Sequence, residues 1–410
     1  MINRRQFMSL AAIGLTFPVY GRSFRLQQHA LKNIIPSEEA MRVHKSAILA
    51  DGHNDLIGTL REKGISSFEN FDLMKDHKEL QVDIPRLIKG GVGVQVWVAD
   101  GYTQRHGNNE ASTYCMDDIM MIHKMVEAYP SVFEMAYHAD DIAHIREKSR
   151  IASLIGIEGG LSIDNSLEKI GRFYDLGARY MTLTWAHTID WVDSATDEAR
   201  NNGLSGFGKD VVREMNRVGM MVDISHVSAK SMRDVLSVSK APVIASHSCA
   251  YELVRFPRNI PDDVLKSITK NNGVVMVNFY PGFLTQEGAN VEQAGIDYKR
   301  KLENTPGLGR AEISKLMGAW NEKNPVPRCS IERVIDHIDH IVKVSGIDHV
   351  GIGSDFEGIP YGPDNLEDVS CFPNITQLLM ERGYEEDAIR KILGGNFIRV
   401  FKEVEKKAGK

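Results

Sequence analysis

Eight short apolar runs, each followed by a polar stretch of helical spacing, constrain this chain more than any other feature of its sequence. They are Ala47–Asp51, Gly91–Val98, Ile151–Ile157, Tyr180–Thr184, Met220–Ile224, Pro242–Ala245, Gly273–Phe279 and His349–Ser354. Most are nearly continuous in Ile, Val, Leu and Met, the composition of strands buried on both faces of a parallel sheet. Between them, stretches such as Asp210–Arg217, Ser228–Val238, Pro261–Lys270 and Ile331–Val344 repeat apolar residues at helical intervals. Ser37-Glu38-Glu39-Ala40 opens an earlier helix, with acidic residues in its first turn. Eight strand–helix units in series predict an α/β fold, a (β/α)8 TIM barrel. Such a barrel needs about 250 residues, and the chain has 410, so inserted loops are expected. Asp100–Asp140, with a helical stretch over Met116–Ala128, and the charged segment Leu284–Arg328 are the two candidates. No internal repeat or Gly/Ser linker divides the chain, which predicts one elaborated domain over residues 36–408.

Residues 1–24 read differently. Asn3-Arg4-Arg5-Gln6-Phe7-Met8 sets twin arginines before an apolar run from Phe7 to Val19, the pattern of a twin-arginine export signal. The run is too short to cross about 30 Å of hydrocarbon and contains Pro18, so an anchor is not expected. A periplasmic or secreted bacterial protein follows, without a stable membrane anchor. The chain ends in Phe401-Lys402-Glu403-Val404-Glu405-Lys406-Lys407, with no hydrophobic tail for a lipid anchor. A net charge of -6 without a block of Lys and Arg offers no footprint for nucleic acid, and a small molecule is the expected partner. Cys115, Cys249, Cys329 and Cys371 are far apart and form no C-x-x-C pair, so neither a zinc ribbon nor a dense disulfide frame is expected.

The chemistry is carried by what stands at the strand ends. His53 and Asp55 end the first run, Glu158 the third, His226 the fifth, His247 the sixth and Asp355 the eighth. Side chains alternate along a strand, so His53 and Asp55 point the same way. Every one lies at the carboxyl end of its run, the face where barrel active sites assemble. Any one alone is an ordinary turn or structural residue; six at five strand ends are not. Nitrogen and oxygen donors in this mixture suit zinc or a similar divalent ion, and serve manganese and cobalt too. Their number exceeds the three protein ligands of one catalytic zinc, so two ions are expected. A pair about 3.5–4 Å apart shares a carboxylate and a water whose pKa falls from about 15.7 toward ~7. Other patterns are weaker. No G-x-S-x-G elbow supports a serine hydrolase, and Gly351-Ile352-Gly353 lacks the third glycine of a dinucleotide loop. Asp336-His337-Ile338-Asp339-His340 looks like a metal tract but falls in a predicted helix, where it reads as a surface with Ile335 and Ile338 inward.

With these residues placed, the chain resembles the renal, or membrane, dipeptidase family, a branch of the binuclear metal-dependent amidohydrolases. The resemblance rests on Asp51-Gly52-His53-Asn54-Asp55, Gly156-Ile157-Glu158-Gly159, Tyr180-Met181-Thr182-Leu183-Thr184, Asp223-Ile224-Ser225-His226, Ala245-Ser246-His247-Ser248, Arg258-Asn259-Ile260-Pro261-Asp262-Asp263 and Gly351-Ile352-Gly353-Ser354-Asp355-Phe356. It implies a dipeptidase with two Zn2+ per chain, attacking the amide with a hydroxide shared by the metals. His53 and Asp55 would hold one ion, His226 and His247 the other, and Glu158 would bridge them. Asp355 would transfer the proton, and Arg258 would bind the carboxylate of the dipeptide's C-terminal residue. Arginine's planar fork suits that carboxylate. Members of the family often carry a histidine directly after the Leu-Thr of the fourth strand, contacting the oxygen that becomes negative. Here Trp185 stands in that place and His187 follows, so His187 is the candidate donor. A homodimer stays open. Two rivals remain: a lactonase or deaminase on the same barrel, and a metal-stabilised binding protein that has lost catalysis.

Overall fold

Among the described residues nine strands alternate with helices: β1 (Leu49–Asn54), β2 (Val92–Asp100), β3 (Phe133–Met135), β4 (Ile151–Glu158), β5 (Ala178–Thr182), β6 (Met221–Asp223), β7 (Val243–Ala245), β8 (Val274–Val277) and β9 (Val350–Ile352). The computed structural model describes residues 33–101 and 110–409. Every pairing is parallel, in the order β2-β1-β9-β8-β7-β6-β5-β4, and β2 pairs in turn with β4 from Val94↔Ala152 to Asp100↔Glu158. That last pairing closes the sheet into the eight-stranded TIM barrel. β3 stays outside the ring, extending the leading end of β4 from Phe133↔Ile151 to Met135↔Ser153. A three-residue strand carries too little periodicity to be seen in sequence.

β1 and β4 are buried along their whole length, as strands between a packed barrel interior and a layer of helices must be. Three of the expected helices are capped by serine side chains, Ser37, Ser205 and Ser228. Ser37 Oγ accepts from Ala40 N at 3.1 Å, and Ser228 Oγ from Ser231 N at 3.1 Å. Helices Gly206–Val218, Ala229–Val238, Asp262–Asn271 and Glu332–Ser345 occupy the predicted stretches within a few residues. In the last, Ile335 and Ile338 are buried as expected, but so is His337, whose Nδ1 accepts from Ala250 N at 3.0 Å.

Two glycines let the mouth of the barrel close up. A Cβ on Gly353 would stand 1.9 Å from the Ser246 carbonyl oxygen, so only glycine lets the exit of β9 pass against that of β7. A Cβ on Gly156 would meet the Tyr180 ring at 2.2 Å, so β4 yields the interior space that ring fills. The insertion expected over Leu284–Arg328 is two helices, Gln286–Glu303 and Arg310–Lys323, with Trp320 stacked on Tyr298 at 6.1 Å. Among the described residues, no helix is long and apolar enough to cross a membrane. The export segment read at residues 1–24 lies outside the described residues.

Candidate metal centre

At the carboxyl ends of the strands, three histidines spread over 194 positions, from His53 to His247, meet around one carboxylate oxygen, Oε1 of Glu158. Nε2 of His226 lies 2.9 Å from it, that of His247 3.4 Å and that of His53 3.5 Å. His53 Nε2 also lies 3.5 Å from Asp55 Oδ2 and 4.0 Å from Asp355 Oδ1. The structure thus brings together all six residues that the strand ends supplied. Local backbone geometry aims two of them: His226 and Asp355 both have positive φ, 66° and 64°, turning back into the mouth just past their strands. Such conformations cost roughly 1–3 kcal/mol each in a non-glycine residue and persist where surroundings over-determine them.

Those surroundings are two buried aspartates. Asp51 accepts from Ser354 N at 2.8 Å, Ser354 Oγ at 2.7 Å and Gln95 Nε2 at 3.0 Å, tying the exit of β9 to β1. Asp223 accepts from Ser225 N at 3.0 Å, Ser246 N at 2.9 Å and Ser246 Oγ at 2.6 Å, tying β6 to β7. Each thereby pins the loop that carries one or two of the six side chains. Each opens a motif quoted from the sequence, yet neither was given a role there, although both precede a site histidine by two or three positions.

Hydrogen bonds on the far side of two imidazoles set their tautomers. The Tyr180 hydroxyl donates to Gly52 O at 3.1 Å, so its oxygen accepts from His53 Nδ1–H at 2.9 Å. Ser246 Oγ donates to Asp223, so it accepts from His247 Nδ1–H at 2.8 Å. In both rings the Nε2 lone pair is left facing Glu158, and His53 Nε2 finds no hydrogen-bond partner there. Burial holds His53 down to about 3 and His226 and His247 well below the ordinary imidazole range. Burial also raises the carboxyls, Asp355 to about 6 and Asp55 and Glu158 well above their usual range. Neutral imidazoles presenting lone pairs to a cluster of carboxylates are the donor set a divalent cation needs. The donor atoms of His53, Glu158 and His247 all lie within 4.8 Å of one another, as do those of His53, Asp55 and Asp355. The residues present therefore fit a metal centre with His53 in the middle.

The centre opens into a cleft of about 840 Å³ whose lining includes Asp55, Glu158, His226, Arg258 and Asp355. Arg258 is 2% exposed, donating to His247 O at 3.2 Å and with its guanidinium 5.2 Å from the Phe283 ring centroid. Asn278 Nδ2 donates to Asp355 Oδ2 at 2.8 Å and fixes that carboxylate's orientation. His187 is not brought into the lining. Its Nδ1 lies 3.6 Å from Asp197 Oδ2, while Trp185 faces the cleft with its ring 6.3 Å from that of His226. Tyr180, Ser246 and Asn278 were also missed in sequence; the period-two alternation of Tyr180 with Thr182 was the one available signal.

Residues 37–410 match the family model described as Membrane dipeptidase (Peptidase family M19). The chain is 37% identical over 367 residues, 87% of its length and 76% of the relative's, to Dipeptidase tcpJ of Claviceps purpurea (strain 20.1). Among solved structures it is similar to the probable dipeptidase PvdM from Pseudomonas aeruginosa, with a TM-score of 0.79 at 24% identity over 90% of this chain and 98% of that one. It is also similar to a metallo peptidase from Rhodobacter sphaeroides liganded with a phosphinate mimic of the dipeptide L-Ala-D-Ala, with a TM-score of 0.72 at 22% identity over 87% and 99%.

Proposed function

The chain belongs to the membrane dipeptidase family, peptidase family M19, and from that premise we propose that it is a two-zinc dipeptidase cleaving dipeptides with a free C-terminal carboxylate. One observation carries the reading: a single oxygen of Glu158 lies within 3.5 Å of Nε2 of three histidines. A carboxylate so placed can bridge a pair held by His53 with Asp55 and by His226 with His247. Bound there, two divalent ions would supply Lewis acidity toward the amide carbonyl and an acidified water as nucleophile.

The chain's own residues do the rest. Arg258, anchored through His247 O, presents its fork to the substrate's carboxylate and sets the scissile bond over the centre. Asp355, oriented by Asn278, takes a proton from the attacking water and returns it to the departing amine. Tyr180 and Ser246 keep His53 and His247 in the ligating tautomer. Residues 1–24 add the proposal of twin-arginine export to the periplasm.

The test is hydrolysis of an L,L and L,D dipeptide library by enzyme with quantified metal, the L,D arm suggested by the mimic bound to the Rhodobacter protein. Turnover of dipeptides with about two equivalents of zinc supports the reading. Turnover of lactones or nucleobases alone, or no hydrolysis after zinc is restored, overturns it.

A further inference from the structure

The wall beside Arg258 is built for more than a carboxylate. Phe256 stacks on Phe283 with centroids 5.3 Å apart, and Tyr280 meets Phe283 edge-on at 5.1 Å. All three line the cleft, together with Glu292 and Ile296, which stand one turn apart on the inserted helix Gln286–Glu303. Glu292 puts a carboxylate among these aromatic and aliphatic side chains. It is half-buried and takes a hydrogen bond from the Tyr280 hydroxyl, its hydrogen-bond partner among the described residues. One bond leaves most of a carboxylate's acceptor capacity unused.

The approach of Glu292 to Tyr280 is built into the backbone. A Cβ on Gly282 would stand 2.5 Å from the Tyr280 ring and 2.7 Å from Glu292 Cγ, so the pair can lean together only over a glycine. The turn beneath is held by Asn259 Nδ2, which donates to Phe283 O at 3.0 Å, and by Asn278 Oδ1, which accepts from Tyr280 N at 2.6 Å. The same Asn278 orients Asp355, so this wall and the proton-transfer carboxylate share one support.

We propose that Glu292 is the specificity-determining residue for the C-terminal side chain of the dipeptide, selecting a large aromatic group whose tip carries a neutral hydrogen-bond donor, a tyrosine before a phenylalanine. This rests on the reading of Arg258 as the carboxylate anchor. A carboxylate on Arg258 leaves its own side chain facing Phe283, over which the guanidinium already lies. An aromatic ring packs there edge-on or offset against Phe256 and Phe283, and a phenolic hydroxyl reaches beyond it to Glu292. A cationic side chain is disfavoured because Arg258 and Lys299 border the same space.

The experiment compares kcat/KM for Ala-Tyr, Ala-Phe and Ala-Lys with the zinc-loaded wild type, Glu292→Leu and Glu292→Gln. The expected wild-type preference for Ala-Tyr over Ala-Phe is about tenfold, the net worth of one hydrogen bond to a half-buried acceptor that is already partly satisfied. Glu292→Leu brings the ratio to one or below, while Glu292→Gln, which keeps an acceptor oxygen, retains a Tyr preference. Equal rates for Ala-Tyr and Ala-Phe in the wild type, an unchanged ratio in Glu292→Leu, or a preference for Ala-Lys overturns the proposal alone. No turnover of any dipeptide overturns the assigned activity first and this proposal with it.

Discussion

The phenolic oxygen of Tyr180 stands 2.9 Å from Nδ1 of His53, a residue 127 positions earlier in the chain. Through that contact the barrel interior dictates which nitrogen of His53 carries a proton, and therefore that Nε2 faces Glu158 with its lone pair. Tyr180→Phe removes the acceptor and changes little else, because the ring still fills the space that Gly156 leaves. Metal affinity is expected to fall about 10–100-fold, the usual effect of losing such a partner. Competition with a chelator, followed by metal analysis, measures it; unchanged affinity would show that the tyrosine only packs.

Asp223 plays the corresponding part for His247 through Ser246, and it also joins β6 to β7. Its oxygens receive donors only, so Asp223→Asn turns an amide N–H toward a hydroxyl or a backbone N–H. A loss of about 1–3 kcal/mol is expected. The loss should be present in metal-free protein, because the strand tie does not depend on a cation. Thermal or urea unfolding of metal-free and zinc-loaded samples separates the two contributions.

Asp355 and Arg258 are expected to fail in different kinetic parameters. Asp355→Asn keeps the hydrogen bond partner of Asn278 but cannot move a proton, so kcat should drop about 10²–10⁴-fold with little change in KM. Arg258→Met should instead raise KM steeply, and a dipeptide amide should already be a poor substrate for the wild type. An Asp355→Asn enzyme with full kcat would remove the proton-transfer role.

His337 predicts an acid sensitivity unrelated to the metal centre. Its Nδ1 accepts from Ala250 N, so its Nε2–H donates toward Leu284 O and the ring is neutral in the fold. Burial pushes it down to about 4, whereas the unfolded chain takes up the proton near ~6.5. The unfolded state thus binds more protons between these values, so stability is fully present above pH ~6.5 and is lost as pH falls toward ~4. The whole window is worth about 3 kcal/mol. Urea midpoints of metal-free protein should decline across it, and His337→Gln should show a shallower decline.

How far the site was legible in the sequence can be judged from particular residues. His53 and Asp55 were readable as neighbours because alternation along a strand is local, and the structure places them 3.5 Å apart. Glu158, His226, His247 and Asp355 were readable as a set because a parallel barrel puts all its strand exits on one face. The reading of His187 rested on the same locality. His187 follows Trp185 closely enough to stand in for a missing donor, yet the loop turns it toward Asp197 and leaves the tryptophan on the cleft wall.

By itself the order of apolar runs and polar exits determined a barrel and the kinds of donor at its mouth, since strand periodicity and the βα succession depend on neighbours in the chain. Tertiary structure alone decided the tautomers of His53 and His247 and the support of Asp355 by Asn278. Those contacts exist only once β2 has closed on β4 and β1 on β9. Hydrogen-bond direction and side-chain reach are set by atoms within about 3 Å in space, and no spacing along the chain encodes which distant residue will supply them.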